Sequence, residues 1–182
     1  MLTNSIKCSK STIASGLASH AEGQNSQATA QASHAEGYYT TANGVYSHAE
    51  GKYTTAIGGS SHAEGYLTTA SGDYSHAEGS YTQAIGNASH TEGNQTQAIG
   101  DYSHAEGRFS TASGQYSHAE GLSTYAYGDY SHAEGNRSIA SGMYSHAEGG
   151  PASAAGGGGT IYAATQAIGD YSHAEGIASV AE

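Results

Sequence analysis

Small and polar side chains alternate along this chain in segments of about five residues. In the segment 75–79, Ser, Ala and Gly alternate with His76 and Glu78. Successive side chains of a β-strand point to opposite faces, so the segment predicts a strand with one face of small residues and one face carrying histidine and glutamate. The preceding segment 68–72 alternates in the same way, with Thr68, Ala70 and a glycine on one face.

The alternation returns with a fixed period. Histidines lie fourteen residues apart from His20 to His146, and glycines mark every seventh residue from Gly37 to Gly156. A seven-residue period also occurs in coiled coils, but these need large apolar residues at two positions of each heptad, where this chain has Gly and Ala. Two short strands, each followed by a turn, instead predict one fourteen-residue rung of a β-solenoid.

Stacked rungs of this kind predict an all-β, parallel β-roll of about twelve rungs with two short strands each. Residues 1–10 are predicted to be an N-terminal leader and residues 11–182 a single domain. The final histidine gap, from His146 to His173, is two periods less one residue and predicts an irregular rung at about 150–165. The roll interior is assigned to Ala21, Ala35, Ala42, Ala49, Ala56, Ala63, Ala70, Ala77, Ala84, Ala98, Ala105, Ala112, Ala119, Ala126, Ala133, Ala140 and Ala147.

Composition adds a constraint on stability. Leu, Ile, Val and Phe supply only sixteen of 182 residues, so one chain buries little apolar area against the entropy of ordering its backbone. We therefore expect self-association through a face that is the same on every rung. The histidine and glutamate face meets this description, whereas the outward positions of the sister strand vary and suit solvent or a partner.

Charge and segment patterns exclude some classes of function. The formal net charge is −11 with only five Lys and Arg, which argues against nucleic-acid binding. The chain has no apolar run of membrane-spanning length and no signal-peptide pattern. Its single cysteine, Cys8, forms no internal disulfide.

The motif "ASGxYSHAEGxxTxASG" resembles the YadA-like head repeat of trimeric autotransporter adhesins over about residues 11–181, and similar "SHAEG" arrays occur in phage tail and appendage proteins. The resemblance implies a left-handed roll, assembled as a homotrimer. In the family, two larger apolar residues of one strand face the trimer centre. Carried over, the trimer interface comprises His20, Glu22, His34, Glu36, His48, Glu50, His62, Glu64, His76, Glu78, His90, Glu92, His104, Glu106, His118, Glu120, His132, Glu134, His146, Glu148, His173 and Glu175.

Buried charges are costly unless they are paired, so we expect a ladder of His–Glu hydrogen bonds between chains around the trimer axis, where an incidental anion, water or metal can also sit. If pairing raises the histidine pKa above about 6.5, this stabilisation is present below that pH and fades as the pH rises through the raised value. Glutamate pairing fades as the pH falls. Stability is then expected to peak in mildly acidic solution.

Several other functions compete with assembly. A Ser-His-Glu triad is disfavoured because Ser75 and His76 point to opposite faces of one strand. Histidine and glutamate together suit a metal site, although no single rung stands out. An outward threonine column that includes Thr41 and Thr55 suggests ice binding, but Gln83 interrupts it. Tyrosines before the motif serine suit either packing between rungs or an adhesive surface.

The sequence thus predicts a non-enzymatic fibre or adhesin head for surface attachment, without a catalytic, cofactor or resident metal site. The expected partners are two further copies of the chain and a matrix protein, glycan or cell-surface ligand. The expected location is extracellular, at a bacterial cell surface. A structural segment of a phage tail fibre or appendage, located in the virion, is the alternative, and a metal-, ion- or ice-binding solenoid is a lesser one.

Overall fold

A computed structural model describes residues 6–7, 11–150, 152–153 and 162–182. Within these residues the chain is all-β, as predicted, and contains no helix. Alternate strands belong to two large parallel sheets. In chain order the first sheet contains β1 (Ile6–Lys7), β3 (His20–Gln24), β5 (His34–Tyr38), β7 (His48–Lys52), β9 (His62–Tyr66), β11 (His76–Ala77), β13 (His90–Thr91), β15 (His104–Arg108), β17 (His118–Leu122), β19 (His132–Asn136), β21 (His146–Gly150) and β25 (His173–Ile177).

The second sheet contains the sister strands, which are two residues long. It consists of β2 (Ile13–Ala14), β4 (Gln27–Ala28), β6 (Thr41–Ala42), β8 (Thr55–Ala56), β10 (Thr69–Ala70), β12 (Gln83–Ala84), β14 (Gln97–Ala98), β16 (Thr111–Ala112), β18 (Tyr125–Ala126), β20 (Ile139–Ala140), β24 (Gln166–Ala167) and β26 (Val180–Ala181). A separate antiparallel pair joins β22 (Ala152–Ser153) to β23 (Tyr162–Ala163).

The strands stack in a register that equals the sequence period. His76 pairs with His62 on one side and with His90 on the other. Thr69 pairs with Thr55 in the sister sheet, and its amide donates to the Thr82 carbonyl at 2.9 Å. Each residue therefore lies against its own copy one turn away, at the strand spacing of about 4.8 Å.

The interior between the two sheets consists of small side chains. Every alanine that the sequence assigned to the interior is fully buried, and so are Ala28 and Ala167, which that assignment omits. Motif serines such as Ser75 and sister-strand threonines such as Thr68 are also buried. The roll is narrow because only small side chains lie between its two sheets.

The buried serine of the motif closes the turn that precedes it. Ser75 Oγ donates to the Gly72 carbonyl at 2.6 Å, and the Ser75 amide donates to the same carbonyl at 3.3 Å. Tyr74, within this turn, has a left-handed φ of 59°. Asp73 Oδ1 accepts from the Gly59 amide of the preceding turn at 2.7 Å, so the turns are linked to each other by side chains as well.

The structure corrects three expectations. Strand β21 pairs directly with β25, and β20 pairs with β24, so no rung lies between them. About eleven turns rather than twelve extend from His20 to His173, and β1 supplies the twelfth strand of the first sheet. Strands β22 and β23 pair with each other and belong to neither large sheet; most of the predicted irregular rung, at 151 and 154–161, lies outside the described residues. Within the predicted leader, β1 pairs with β3 and extends the first sheet; residues 1–5 and 8–10 lie outside the described residues.

The third correction concerns the motif glycine. Gly79 was expected inside the roll, but it is exposed and has a φ of 100°, because the chain begins to turn there. The sister-strand glycine Gly72 is buried as expected. Both kinds of glycine stack so closely on the next turn that there is no room for a side chain.

Gly100 gives the clearest test of this close stacking. A Cβ at Gly100 would lie 2.0 Å from the Gly114 carbonyl oxygen, which is backbone and cannot rotate away. We expect Gly100→Ala to destabilise the fold by about 3 kcal/mol or more, at the upper end for overpacked sites, measured by thermal unfolding. Gly59→Ala is the matched control, since its Cβ would meet its nearest atom at an ordinary 3.4 Å. Equal stability of the two variants would contradict the stacking.

Candidate functional site: the His–Glu array

The eleven histidines of the repeat form one continuous column on the outer face of the first sheet. Neighbouring rings are stacked with centroids 4.6–4.9 Å apart and planes within 13° of parallel. The column runs unbroken from His20 to His173, because β21 and β25 are direct neighbours. We call this column, with the glutamates two residues after each histidine, the His–Glu array.

Seven of the eleven histidines lie within 4.0 Å of the glutamate of the preceding turn. His76 Nε2 is 3.3 Å from Glu64 Oε1, and His62 Nε2 is 3.4 Å from Glu50 Oε1. The glutamate of the same strand is usually farther away, at 3.9 Å for His118 and Glu120. These contacts are therefore made between turns of a single chain, whereas the sequence predicted His–Glu pairs between chains. About one third of the side chain remains exposed in most of these pairs, for example 34% of His62 and 35% of Glu50, whereas the last pair, His173 and Glu175, is more exposed.

Several of these contacts are poorly aligned for hydrogen bonding. The Nε2 atoms of His34, His48, His62, His104, His118 and His132 are buried and lack a hydrogen-bond partner within the described residues. Some of them lie close to a carboxylate, as His48 Nε2 does to Glu36 Oε1 at 3.4 Å, but the angle between the two groups does not allow a hydrogen bond. Buried polar atoms normally have a partner, so the array is incomplete in one chain.

Burial and stacking oppose protonation of the column. Desolvation lowers the pKa of His34, His62, His104 and His132, and the charge that neighbouring histidines would carry lowers it further. The nearby glutamates raise it by less. The expectation that pairing raises the histidine pKa is therefore wrong for these four residues, because stacked rings repel each other once charged and burial disfavours the charged form.

The glutamates also stack on their own copies. Hydrogen bonds with Glu92 and Glu120 raise the pKa of Glu106 to about 7, and the same contacts lower the pKa of Glu92 and of Glu120. Like-charged carboxylates one strand spacing apart avoid repulsion when one of them keeps its proton. Glu106 is therefore the carboxyl of this group of three that holds its proton to the highest pH.

Groups of three potential metal ligands recur along the array. In the group of His34, Glu36 and His48, one ligand atom of each residue lies within 4.8 Å of the others. A histidine and a glutamate 3.3 Å apart, such as His90 and Glu78, can both reach one ion.

Tyrosine columns accompany the array at the turns. Tyr102, Tyr116, Tyr130, Tyr144 and Tyr171 form an exposed stack with ring centroids 4.7–5.1 Å apart. All five have a left-handed φ near 60°. The sequence indicated packing between turns at these positions, but it gave no sign of the left-handed backbone, which favours Gly or Asn.

Ice binding gains no support from the sister sheet. Thr41, Thr55 and Thr69 stand in register on its outer face, but Gln83 and Gln97 follow them in the same column. Among the described residues, no helix is long and apolar enough to cross a membrane.

Comparison with protein families matches the YadA head domain repeat at residues 35–61, 92–117 and 119–145. The resemblance inferred from the "SHAEG" motif is thereby confirmed, and the matched segments lie within the regularly stacked turns. A comparison with curated proteins found no match to this chain.

The pKa values of the array predict how stability depends on pH. A histidine whose pKa is lowered by folding stabilises the folded state above its unfolded pKa of about 6.5. That contribution is lost as the pH falls below this value, so the melting temperature should decrease from pH 7.5 to pH 5. Glu106, with its raised pKa, acts oppositely: its contribution is present in acid and is lost as the pH rises through about 7.

Circular dichroism melts across this range provide the measurement, and Glu106→Gln is the control. Glutamine keeps a hydrogen-bond donor but does not titrate, so this variant lacks the stability change that Glu106 contributes between about pH 4.5 and about pH 7. Because that change opposes the effect of the histidines, the melting temperature of the variant should fall more steeply toward pH 5 than that of the unmodified chain. A melting temperature that rises steadily from pH 7.5 to pH 5 would show that the histidines gain protons on folding, contrary to the burial observed here.

Proposed function

We propose, from the YadA head domain repeats that this chain carries, that it is the non-enzymatic head of a trimeric surface adhesin. The head is a left-handed β-roll, and three copies associate with their His–Glu arrays directed toward the common axis. The opposite sheet faces outward and meets the ligand. The resemblance implies a location outside the cell, at a bacterial surface.

The incomplete hydrogen bonding of the array is the observation that carries this proposal. Six Nε2 atoms are buried without a partner in the single chain, and the array repeats the same two residues on every turn. A second copy can supply the missing partners, and a symmetric contact requires the same residues at each level. A solvent-exposed face would not need such repetition, and the outward face of the sister sheet changes residue type along its length, from Thr69 to Gln83 and from Gln97 to Thr111.

The core gives a second, independent reason to associate. Its buried apolar side chains are alanines, each of which contributes little burial. Contact through the array covers one whole sheet face and adds burial that the interior lacks. Repetition of the same interface along the roll explains how a chain so poor in large apolar residues is stable.

The arrangement of the motif supports a role without catalysis. Ser75 is 1% exposed and donates to a backbone carbonyl, while His76 lies on the opposite face of the strand. The serine hydroxyl therefore has no access to the imidazole or to a substrate. The same separation holds for the repeats with an equally buried serine, such as Ser89 and Ser103.

Light scattering tests the assembly. We expect a mass three times that of the 18.4 kDa chain. His90→Asp should shift the mass toward that of the single chain, because it places a carboxylate next to Glu78 and Glu92 at the axis. Gln83→Asp is the matched control, since Gln83 is the outward residue of the neighbouring strand in the sister sheet, and it should leave the mass unchanged.

A single-chain mass for the unmodified protein, or equal masses for the two variants, would contradict assembly through the array. The adhesive part is tested on the same samples with protein-coated beads, which should attach to immobilised matrix proteins, glycans or cultured cells. Beads coated with heat-unfolded protein provide the baseline. Attachment no greater than that baseline on every surface would contradict an adhesin.

A further inference from the structure

A groove of about 360 Å³ lies on the side of the roll away from the His–Glu array. Its lining residues come from consecutive turns: Tyr81, Gln95, Gln97, Phe109, Thr111 and Tyr125. Its volume falls at the lower end of the range for sites that bind small ligands. None of these residues belongs to the array or to the roll interior.

Two parallel columns of side chains form the groove. One column follows the left-handed turn positions and contains Tyr81, Gln95 and Phe109. The other follows the outward positions of the second sheet, where Gln97 pairs with Thr111 and Thr111 with Tyr125. From Tyr81 to Tyr125 the groove extends over three strand spacings, about 14 Å, which accommodates a disaccharide.

The groove exists because the aromatic stacking is interrupted here. Elsewhere in the turn column, Tyr39 and Tyr53 stack on each other with centroids 5.4 Å apart. Gln95 separates Tyr81 from Phe109, so these two rings do not cover each other. They remain 46% and 36% exposed. In the column of the second sheet, the short side chain of Thr111 next to the ring of Tyr125 likewise leaves that ring without an aromatic neighbour on the preceding turn.

The lining chemistry favours a neutral ligand rich in hydroxyl groups. None of the six lining residues is ionised at neutral pH. Three aromatic rings line the groove: the Arg108 guanidinium lies over Phe109 at 4.7 Å and Tyr127 stacks on Tyr125 at 5.7 Å, so each of these two rings offers its remaining surface to a ligand. Two side-chain amides and the hydroxyls of Thr111 and the tyrosines offer hydrogen bonds in both directions. A sugar ring has the complementary pattern, with an apolar C–H face and a rim of hydroxyl groups.

A polypeptide is less well matched to this surface. The amides of Gln97, Thr111 and Tyr125 already donate to carbonyls of the next turn at 2.9–3.0 Å. A peptide strand therefore finds no unpaired backbone here to which it could add. Hydrogen bonding in the groove depends on side chains alone, as sugar recognition requires.

We infer that this groove is a binding site for a neutral saccharide of about two sugar units. This inference rests on the proposed adhesin head, for which it specifies the class of ligand. The aromatic rings of Phe109 and Tyr125 contact the sugar faces, and the amides of Gln95 and Gln97 bind its hydroxyl groups.

Saturation-transfer NMR on the full chain tests the inference with lactose, maltose, cellobiose and N,N′-diacetylchitobiose as probes. We expect at least one of them to bind. Phe109→Ser and Tyr125→Thr should each weaken that binding at least tenfold. Both replacements fold readily, since the chain itself has Ser123 and Thr111 at the equivalent positions of neighbouring turns. Tyr39→Ser, in the same column but outside the groove, should bind as the unmodified chain does.

Absence of binding by all four disaccharides would overturn the inference, as would unchanged affinity in both groove variants. Binding only of a sialylated or sulfated sugar, or only of a collagen peptide, would also overturn it. The mass and bead assays separate this result from the proposed function. If the protein is a trimer that attaches to a surface but binds no neutral disaccharide, the proposed adhesin function stands and the saccharide site is contradicted. If the protein is a single chain that binds a disaccharide, the saccharide site stands and the proposed assembly is contradicted.

Discussion

In-register stacking of each residue on its own copy is the constraint on which the whole molecule depends. The backbone hydrogen bonds of two parallel sheets hold equivalent atoms of successive turns about 4.8 Å apart. Residues with a favourable contact to a second copy can recur at the same position: imidazoles and phenols stack, and aspartates accept the amide of the previous turn. Residues with an unfavourable self-contact change their ionisation instead, as the raised pKa of Glu106 between Glu92 and Glu120 indicates.

The same stacking explains the small core and its consequence for assembly. Glycine is required where successive turns touch through the backbone, and alanine, serine and threonine fill the remaining space. An interior of this kind leaves no place for large apolar residues. The burial that most domains obtain inside must therefore come from the outer faces. One face is uniform and half-buried, suited to copies of the chain, and the other is varied, suited to a ligand.

Much of this architecture could be predicted from the sequence, because alternation and period report side-chain direction and register directly. The buried alanines and the outward His76 and Glu78 follow from them. The gap from His146 to His173 could not be resolved in this way, since 27 residues fit either two shortened turns or one turn with an insertion. Only strand pairing distinguishes the two. The exposed Gly79 and the left-handed Tyr74 depend on turn geometry, which alternation does not encode. The direction of the histidine pKa shifts depends on whether burial and the repulsion between stacked rings outweigh the attraction of the nearby glutamates. Alternation and period do not report these distances.

Hydrogen–deuterium exchange at the imidazole C2 position, followed residue by residue by mass spectrometry, tests the stacked and half-buried histidine column most directly. This exchange slows when the imidazole pKa falls and when solvent access is restricted. At pH 7 we expect His34, His62, His104 and His132 to exchange more slowly in the folded protein than in the denatured chain. Exchange at the denatured rate for all four residues would contradict the column and the assembly inferred from it.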